Sequence, residues 1–129
     1  MIRHGILNPQ LLSLLARVRH TNALVIADCG FPFWPMIETV DVSVVDDLPT
    51  VLQLIAAVRA NHQFTQAYQA EEFLQHNAPA TRRKFAAALK GVPTIYEPHV
   101  EFKQRVPHAI GLIRTGDTTQ YANTILISG

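Results

Sequence analysis

The sequence predicts a layered α/β fold with a mixed, mainly parallel sheet and an antiparallel strand near the C-terminus. Short apolar runs alternate with amphipathic helical patterns along the chain, the signature of strands covered by helices. The last two runs, 109–114 and 123–127, are joined by about seven polar residues, too few for a crossover helix, so they are expected to form an antiparallel pair beside otherwise parallel strands. No repeat, linker or low-complexity stretch breaks the 129 residues, and 1–129 is expected to be a single domain.

Each element has a local reason. Asn8-Pro9 starts a helix: the Asn side chain accepts an orphan backbone N–H, and proline at the first helical position loses no hydrogen bond. That helix runs over 9–18 and keeps Leu11, Leu12, Leu14, Leu15 and Val18 on one broad face. Residues 24–27 form a compact buried strand, stopped by Cys29-Gly30 and then by Pro32 and Pro35. In this turn Phe31, Phe33 and Trp34 either wall a pocket or seal a subunit contact. Partial alternation over 37–44, with Val40, Val42 and Val44 on one side, predicts a second strand. Asp46 or Asp47 is expected to cap a second helix that has Pro49 in its first turn, carries Val51, Leu52, Leu54, Ile55 and Val58, and ends near Asn61. Residues 64–70 are read as a strand and 71–75 as a short helical turn. Asn77-Ala78-Pro79 restarts a helix that reaches about Lys90 and is closed by Gly91. A short strand over 94–96 precedes a helix opened by Pro98.

Composition narrows the class of function. Apolar residues make up 48% of the chain and charged residues 16%. With a mean hydropathy of +0.11, so few charges cover the surface poorly, and self-association is expected. The formal net charge of +1 and a longest basic run of Arg82-Arg83-Lys84 argue against nucleic acid, and the run itself is expected to be a solvated helix face. The single cysteine, Cys29, excludes an intrachain disulfide and suits a reducing compartment. No apolar run approaches the roughly 18 residues a membrane span needs, and the first residues fit neither a signal peptide nor a transit peptide, so a cytoplasmic protein is expected.

The chemistry is placed around 15–35. Asp28 stands at the carboxyl end of a predicted strand, where open α/β sheets bind ligands, and an imidazole, His20, precedes that strand. Together they make a candidate acid/base pair. Eight extended residues span roughly 25 Å, so the two share a site only if the chain folds back or another subunit supplies one of them. Each residue also has a plain structural role: His20 as a partner for loose helix carbonyls, Asp28 as a cap for the following loop. His99 and Lys103, four apart, share a helix face that is otherwise ordinary exposed surface. Tyr121 and Asn123 straddle Ala122 and so point to one side of the sheet. No phosphate-binding glycine loop and no nucleophile elbow are present. The six histidines and one cysteine show no metal-ligand spacing, and neither metal nor cofactor is expected.

Four segments in order resemble the family of D-ribose pyranases and L-fucose mutarotases over nearly the whole chain. They are His4-Gly5-Ile6-Leu7-Asn8; His20-Thr21 followed by Val25-Ile26-Ala27-Asp28-Cys29-Gly30-Phe31-Pro32; Glu101-Phe102-Lys103; and Ile113-Arg114-Thr115-Gly116 leading to Tyr121-Ala122-Asn123-Thr124-Ile125-Leu126. The resemblance implies a three-layer α/β/α domain that interconverts ring or anomeric forms of a monosaccharide without a cofactor. It further implies His20 as proton donor, Asp28 as a ligand of sugar hydroxyls, and His99, Lys103, Tyr121, Ala122 and Asn123 as the remainder of the sugar site. Homo-oligomers, commonly decamers of two pentameric rings with the site near a subunit boundary, are implied as well. The run from Pro98 to Lys103 is similar to the ribose branch and Phe31-Pro32 to the fucose branch, and ribose is the better match.

Two departures bear on mechanism. The family usually has Gly before the histidine and often Asp two residues after it, where this chain has Arg19 and Asn22. A cation beside His20 disfavours imidazolium, and a missing carboxylate removes a group that orients the ring. These changes favour an alternative, a sugar-binding homologue that no longer catalyses and serves a regulatory or transport-associated role. The chain also stops at Ser128-Gly129, short of the hydrophobic tail that commonly follows that glycine.

Overall fold

A computed structural model describes residues 1–129. Its centre is a six-stranded sheet in the order β2-β5-β1-β6-β3-β4. The strands are β1 (Ala23–Ala27), β2 (Glu38–Asp41), β3 (Phe64–Ala70), β4 (Thr94–Glu97), β5 (Gly111–Arg114) and β6 (Thr124–Ser128). Five run the same way: β5 pairs in parallel with β1 and β2, and β3 with β4. β6 alone is reversed and lies antiparallel between β1 and β3. The last strand is therefore antiparallel as expected, but it does not pair with β5, because β1 separates the two. The loop after β5 carries the chain over the end of β1 instead of turning back as a hairpin.

Helices α1 (Pro9–Arg17), α2 (Val51–Arg59), α3 (Glu71–His76), α4 (Pro79–Ala88) and α5 (His99–Arg105) complete the fold, with a 3-10 turn at Val106–His108. The alternation of side chains along the strands divides the core in two. Leu24 and Ile26 of β1, Ile113 of β5 and Leu126 of β6 join α1, α2 and α4 on one face. Val25, Ala27, Leu112 and Ile125 meet Phe31, Phe102 and Val106 on the other. Both faces of the central strands are covered, which is why they read as continuous apolar runs. No helix is long and apolar enough to cross a membrane.

Local chemistry explains where the elements start and stop. Asn8 caps α1 as expected, its side chain accepting from the Leu11 N–H. The cap of α2 is Thr50, not Asp46 or Asp47: Thr50 and Gln53 form a reciprocal capping box. Asp47 instead sits in the left-handed region at φ +61° and accepts from the N–H and hydroxyl of Thr118. A second group at the start of α2 comes from far along the chain. Buried Asp117 accepts from the Val51 N–H at 2.8 Å and from the Thr119 N–H at 2.8 Å. Strand β2 is shorter than the alternation suggests, because the chain turns at Asp41, which accepts from the Ser43 N–H, and leaves Val44 71% exposed. Asn77 does not cap α4; its amide donates to the carbonyls of Phe73 and Gln120.

Replacing Asp117 with Ala strips two backbone N–H groups of a buried partner. The expected loss is about 2–4 kcal/mol of folding stability, read by urea denaturation, with Asp117→Asn closer to wild type.

Candidate functional site

The five parallel strands end together, and β6 begins among them. A hollow of about 400 Å³ opens there, lined by Asp28, Gly30, Phe31, Pro32, His76, His99, Gln120, Tyr121 and Asn123. Its size suits a small ligand, and six of its nine lining residues carry polar side chains. Because β6 is wedged between β1 and β3, residues at its start face the carboxyl ends of both neighbours.

Asp28 and Asn123 form the joint of the site. The Asn123 side-chain oxygen accepts from the Asp28 backbone N–H at 2.8 Å, which leaves the amide nitrogen free to donate. One Asp28 carboxylate oxygen accepts from the Gly30 N–H at 3.0 Å. Burial raises the Asp28 pKa above the usual carboxylate value, against the pull of the N–H groups of Gly30 and Phe31 and the Asn123 amide. The surrounding loop is held from β5: the Arg114 guanidinium donates to the carbonyls of Asp28, Cys29 and Pro32. The Thr115 hydroxyl donates to the Ala27 carbonyl at 2.8 Å, and the Cys29 N–H to the Asp117 carbonyl. Phe31 takes the pocket-wall role of the two open to the turn aromatics, packing edge-on to His99 and Phe102, whereas Phe33 is 70% exposed.

His99 begins α5. Both Glu72 carboxylate oxygens lie 3.1 Å from its backbone N–H, so a carboxylate on α3 caps the helix that carries the imidazole. The ring stacks on Phe102 and meets Tyr121 edge-on at 5.1 Å. Burial lowers the His99 pKa, Lys103 adds to the effect, and Glu72 opposes it. The shift favours the neutral imidazole, and its Nδ1 is buried without a partner in the chain. Tyr121 lies in the left-handed region at φ +56°, a strained conformation for a bulky residue and one often kept at functional sites.

The hollow gathers Asp28, His99, Tyr121 and Asn123 but not the other residues singled out from the sequence. Lys103 lies one turn along α5, outside the lining. Ala122 is wholly buried in the core, and its carbonyl accepts from the Thr124 hydroxyl, which in turn accepts from Gln69. It sets the path of the loop between its two neighbours. His20 is exposed at the opposite end of β1, in a turn pinned to the far end of β6 by the bond from the Thr21 N–H to the Ser128 carbonyl. The roughly 25 Å of chain between it and Asp28 is not folded back.

The local setting of His20 changes the meaning of the two departures. The Arg19 guanidinium donates to the carbonyls of Ala16 and Val18 at the end of α1, and Asn22 accepts from the Arg19 N–H. Both residues close the helix, and the cation faces helix-end carbonyls that favour it. Thr21, next to His20, has φ +67°, an outlier for a β-branched residue.

The profile of the RbsD / FucU transport protein family matches residues 1–129. The chain belongs to this family. It is 41% identical over 129 residues to a D-ribose pyranase of Laribacter hongkongensis, covering 100% of this chain and 98% of that one. A D-ribose pyranase of Halalkalibacterium halodurans is 40% identical over 131 residues, with the same coverage. Among solved structures, Bacillus subtilis RbsD complexed with D-ribose superposes with a TM-score of 0.91 at 32% identity, over 100% of this chain and 98% of that one. The fucose mutarotase of Streptococcus pneumoniae in complex with L-fucose shares the fold, with a TM-score of 0.80 at 20% identity over 95% of this chain and 92% of that one.

Within this hollow of an RbsD/FucU chain, sequence reasoning missed His76 and Gln120, and beside it the clamp of Arg114. His76 ends a helix that directly follows a strand, and that position was the available signal. Because burial raises the Asp28 pKa, its charge costs stability at pH 7, and the cost fades as pH falls through about 4, the unfolded value, and is gone well below it, where folded and unfolded chains are both protonated. Asp28→Asn keeps an acceptor for the Gly30 N–H. Thermal melts are expected to show this variant more stable than wild type at pH 7, with the gain fading through pH about 4 and absent by pH about 3.

Proposed function

We propose that this sugar mutarotase interconverts the pyranose and furanose forms of a pentose such as D-ribose, as a single-domain, cytoplasmic homo-oligomer. The observation that carries the reading is the convergence of Asp28, His99, Tyr121 and Asn123 on one hollow. Carboxylate, imidazole, phenol and amide together supply the donors and acceptors a polyol needs.

Ring opening breaks the bond between the anomeric carbon and the ring oxygen. The anomeric hydroxyl loses its proton, its oxygen becomes the aldehyde oxygen, and the ring oxygen gains a proton to become a hydroxyl. Reclosure through a different hydroxyl reverses these transfers and changes the ring size. Asp28 takes the anomeric proton in this scheme, and its raised pKa makes it a better base than an ordinary carboxylate. His20 gives the proton to the ring oxygen. Since His20 lies at the far end of β1 from its own hollow, it serves the hollow of a neighbouring protomer. Exposed Phe33, Met36, Val44, Val45 and Leu48 support association, as does the low charged fraction, and a decamer of two pentameric rings is the proposed assembly. Capture of the Arg19 cation by helix carbonyls supports a working His20, and so favours catalysis over a binding-only role.

Saturation-transfer NMR between the ring forms of D-ribose measures the reaction. His20→Ala is expected to slow exchange by about 10²–10⁴-fold while sugar binding persists; unchanged exchange removes His20 from the mechanism. Co-expressed His20→Ala and Asn123→Ala chains are expected to recover activity that neither has alone. Mixed assemblies no more active than their parents refute a site shared between protomers.

A further inference from the structure

His76 is the one imidazole of the hollow that the proposed sugar site leaves without a task. It ends α3, a six-residue helix with no side-chain cap of its own, so its position must come from tertiary contacts. Two of these reach the walls of the hollow. Near the start of α3, Glu72 accepts from the His99 N–H. In the middle, Phe73 packs on Phe85 of α4 with ring centroids 4.7 Å apart. Just past the end, the Asn77 amide donates to the Phe73 carbonyl and to the carbonyl of Gln120, the residue before Tyr121, at 2.8 Å each. The same short helix is thus tied to the His99 wall and to the Tyr121 wall. It holds the His76 ring 5.3 Å from the Tyr121 ring, tilted by 34°.

The arrangement is two-sided. His99 reaches Tyr121 from α5 on one face of the sheet, and His76 reaches it from α3 on the other. His76 is exposed and lines the hollow, and its imidazole makes no hydrogen bond within the chain. An imidazole has an apolar body and polar edges. Beside the phenol it extends an aromatic wall suited to the C–H face of a sugar ring, while its nitrogens reach for hydroxyls.

We propose that His76 is a substrate-contacting residue of the sugar site, hydrogen-bonding a sugar hydroxyl at the mouth of the hollow on the side away from His99. The inference rests on the reading of the hollow as a sugar site and adds a contact that strengthens binding without moving a proton.

The experiment compares wild type, His76→Ala and His76→Gln in D-ribose titrations, in ring-exchange kinetics and in thermal melts. Loss of one hydrogen bond is expected to raise the dissociation constant and KM of His76→Ala about five- to thirty-fold, with kcat within about twofold and the melting temperature unchanged. Glutamine, which keeps a donor and an acceptor, is expected to return affinity to within about threefold of wild type. Unaltered affinity in His76→Ala overturns the inference, and so does a lowered melting temperature shared by both variants with equal loss of affinity, which marks a structural role. Wild-type protein that neither binds D-ribose or L-fucose nor speeds their ring exchange overturns the sugar reading itself, and the His76 contact with it.

Discussion

The bond from the Asp28 N–H to the Asn123 side chain is the constraint on which the site depends. It joins residues 95 positions apart and exists because β6 runs backwards between β1 and β3. A hydrogen bond of this kind contributes only about 1 kcal/mol net, so the energy that holds the joint comes from elsewhere. It comes from the strands on either side. Leu126 and Ile125 of β6 are buried in the two opposite halves of the core, fixing the register to the residue, and a slip by one would exchange those faces. Register placed by apolar burial thus determines which polar groups meet at the strand ends.

Polar bonds of long sequence separation then shape what the register delivers. Arg114 and Thr115 of the β5 end tie down the loop after β1, Asp117 from the same loop caps α2, and Glu72 caps the helix of His99. Every strand end that borders the hollow is therefore braced by a residue from another strand end. The cost of such bracing appears in the strained backbone of Tyr121 and in the burial of the Asp28 carboxylate. Both are typical of a site whose geometry is selected for ligand, not for folding.

Local periodicity made most of the fold legible. The apolar faces of α1 and α2 and the compact run at β1 stand where hydrophobic spacing places them, and Asn8-Pro9 marks its helix start. What spacing lacked was long-range partnership. Asp47 and Thr50 are equally good caps in sequence, and only the demand of Thr118 for a partner decides between them. Nothing local tells that β6 inserts between β1 and β3, since a strand that pairs with β5 has the same alternation. The site was legible in part for the same reason. Asp28, Tyr121 and Asn123 flank recognisable strands, whereas His76 is defined by tethers to residues 99 and 120 that no window of sequence contains.

The place of β6 has a consequence for how the protein is made. The strand that fills the middle of the sheet is synthesised after the other five, so during translation β1 and β3 hold unpaired edges toward a gap. The other five strands are not joined in the meantime, because their two parallel blocks share no direct pairing. Native assembly thus waits for β6, and a nascent chain arrested before it exposes two sticky strand edges for a chaperone or another chain to find.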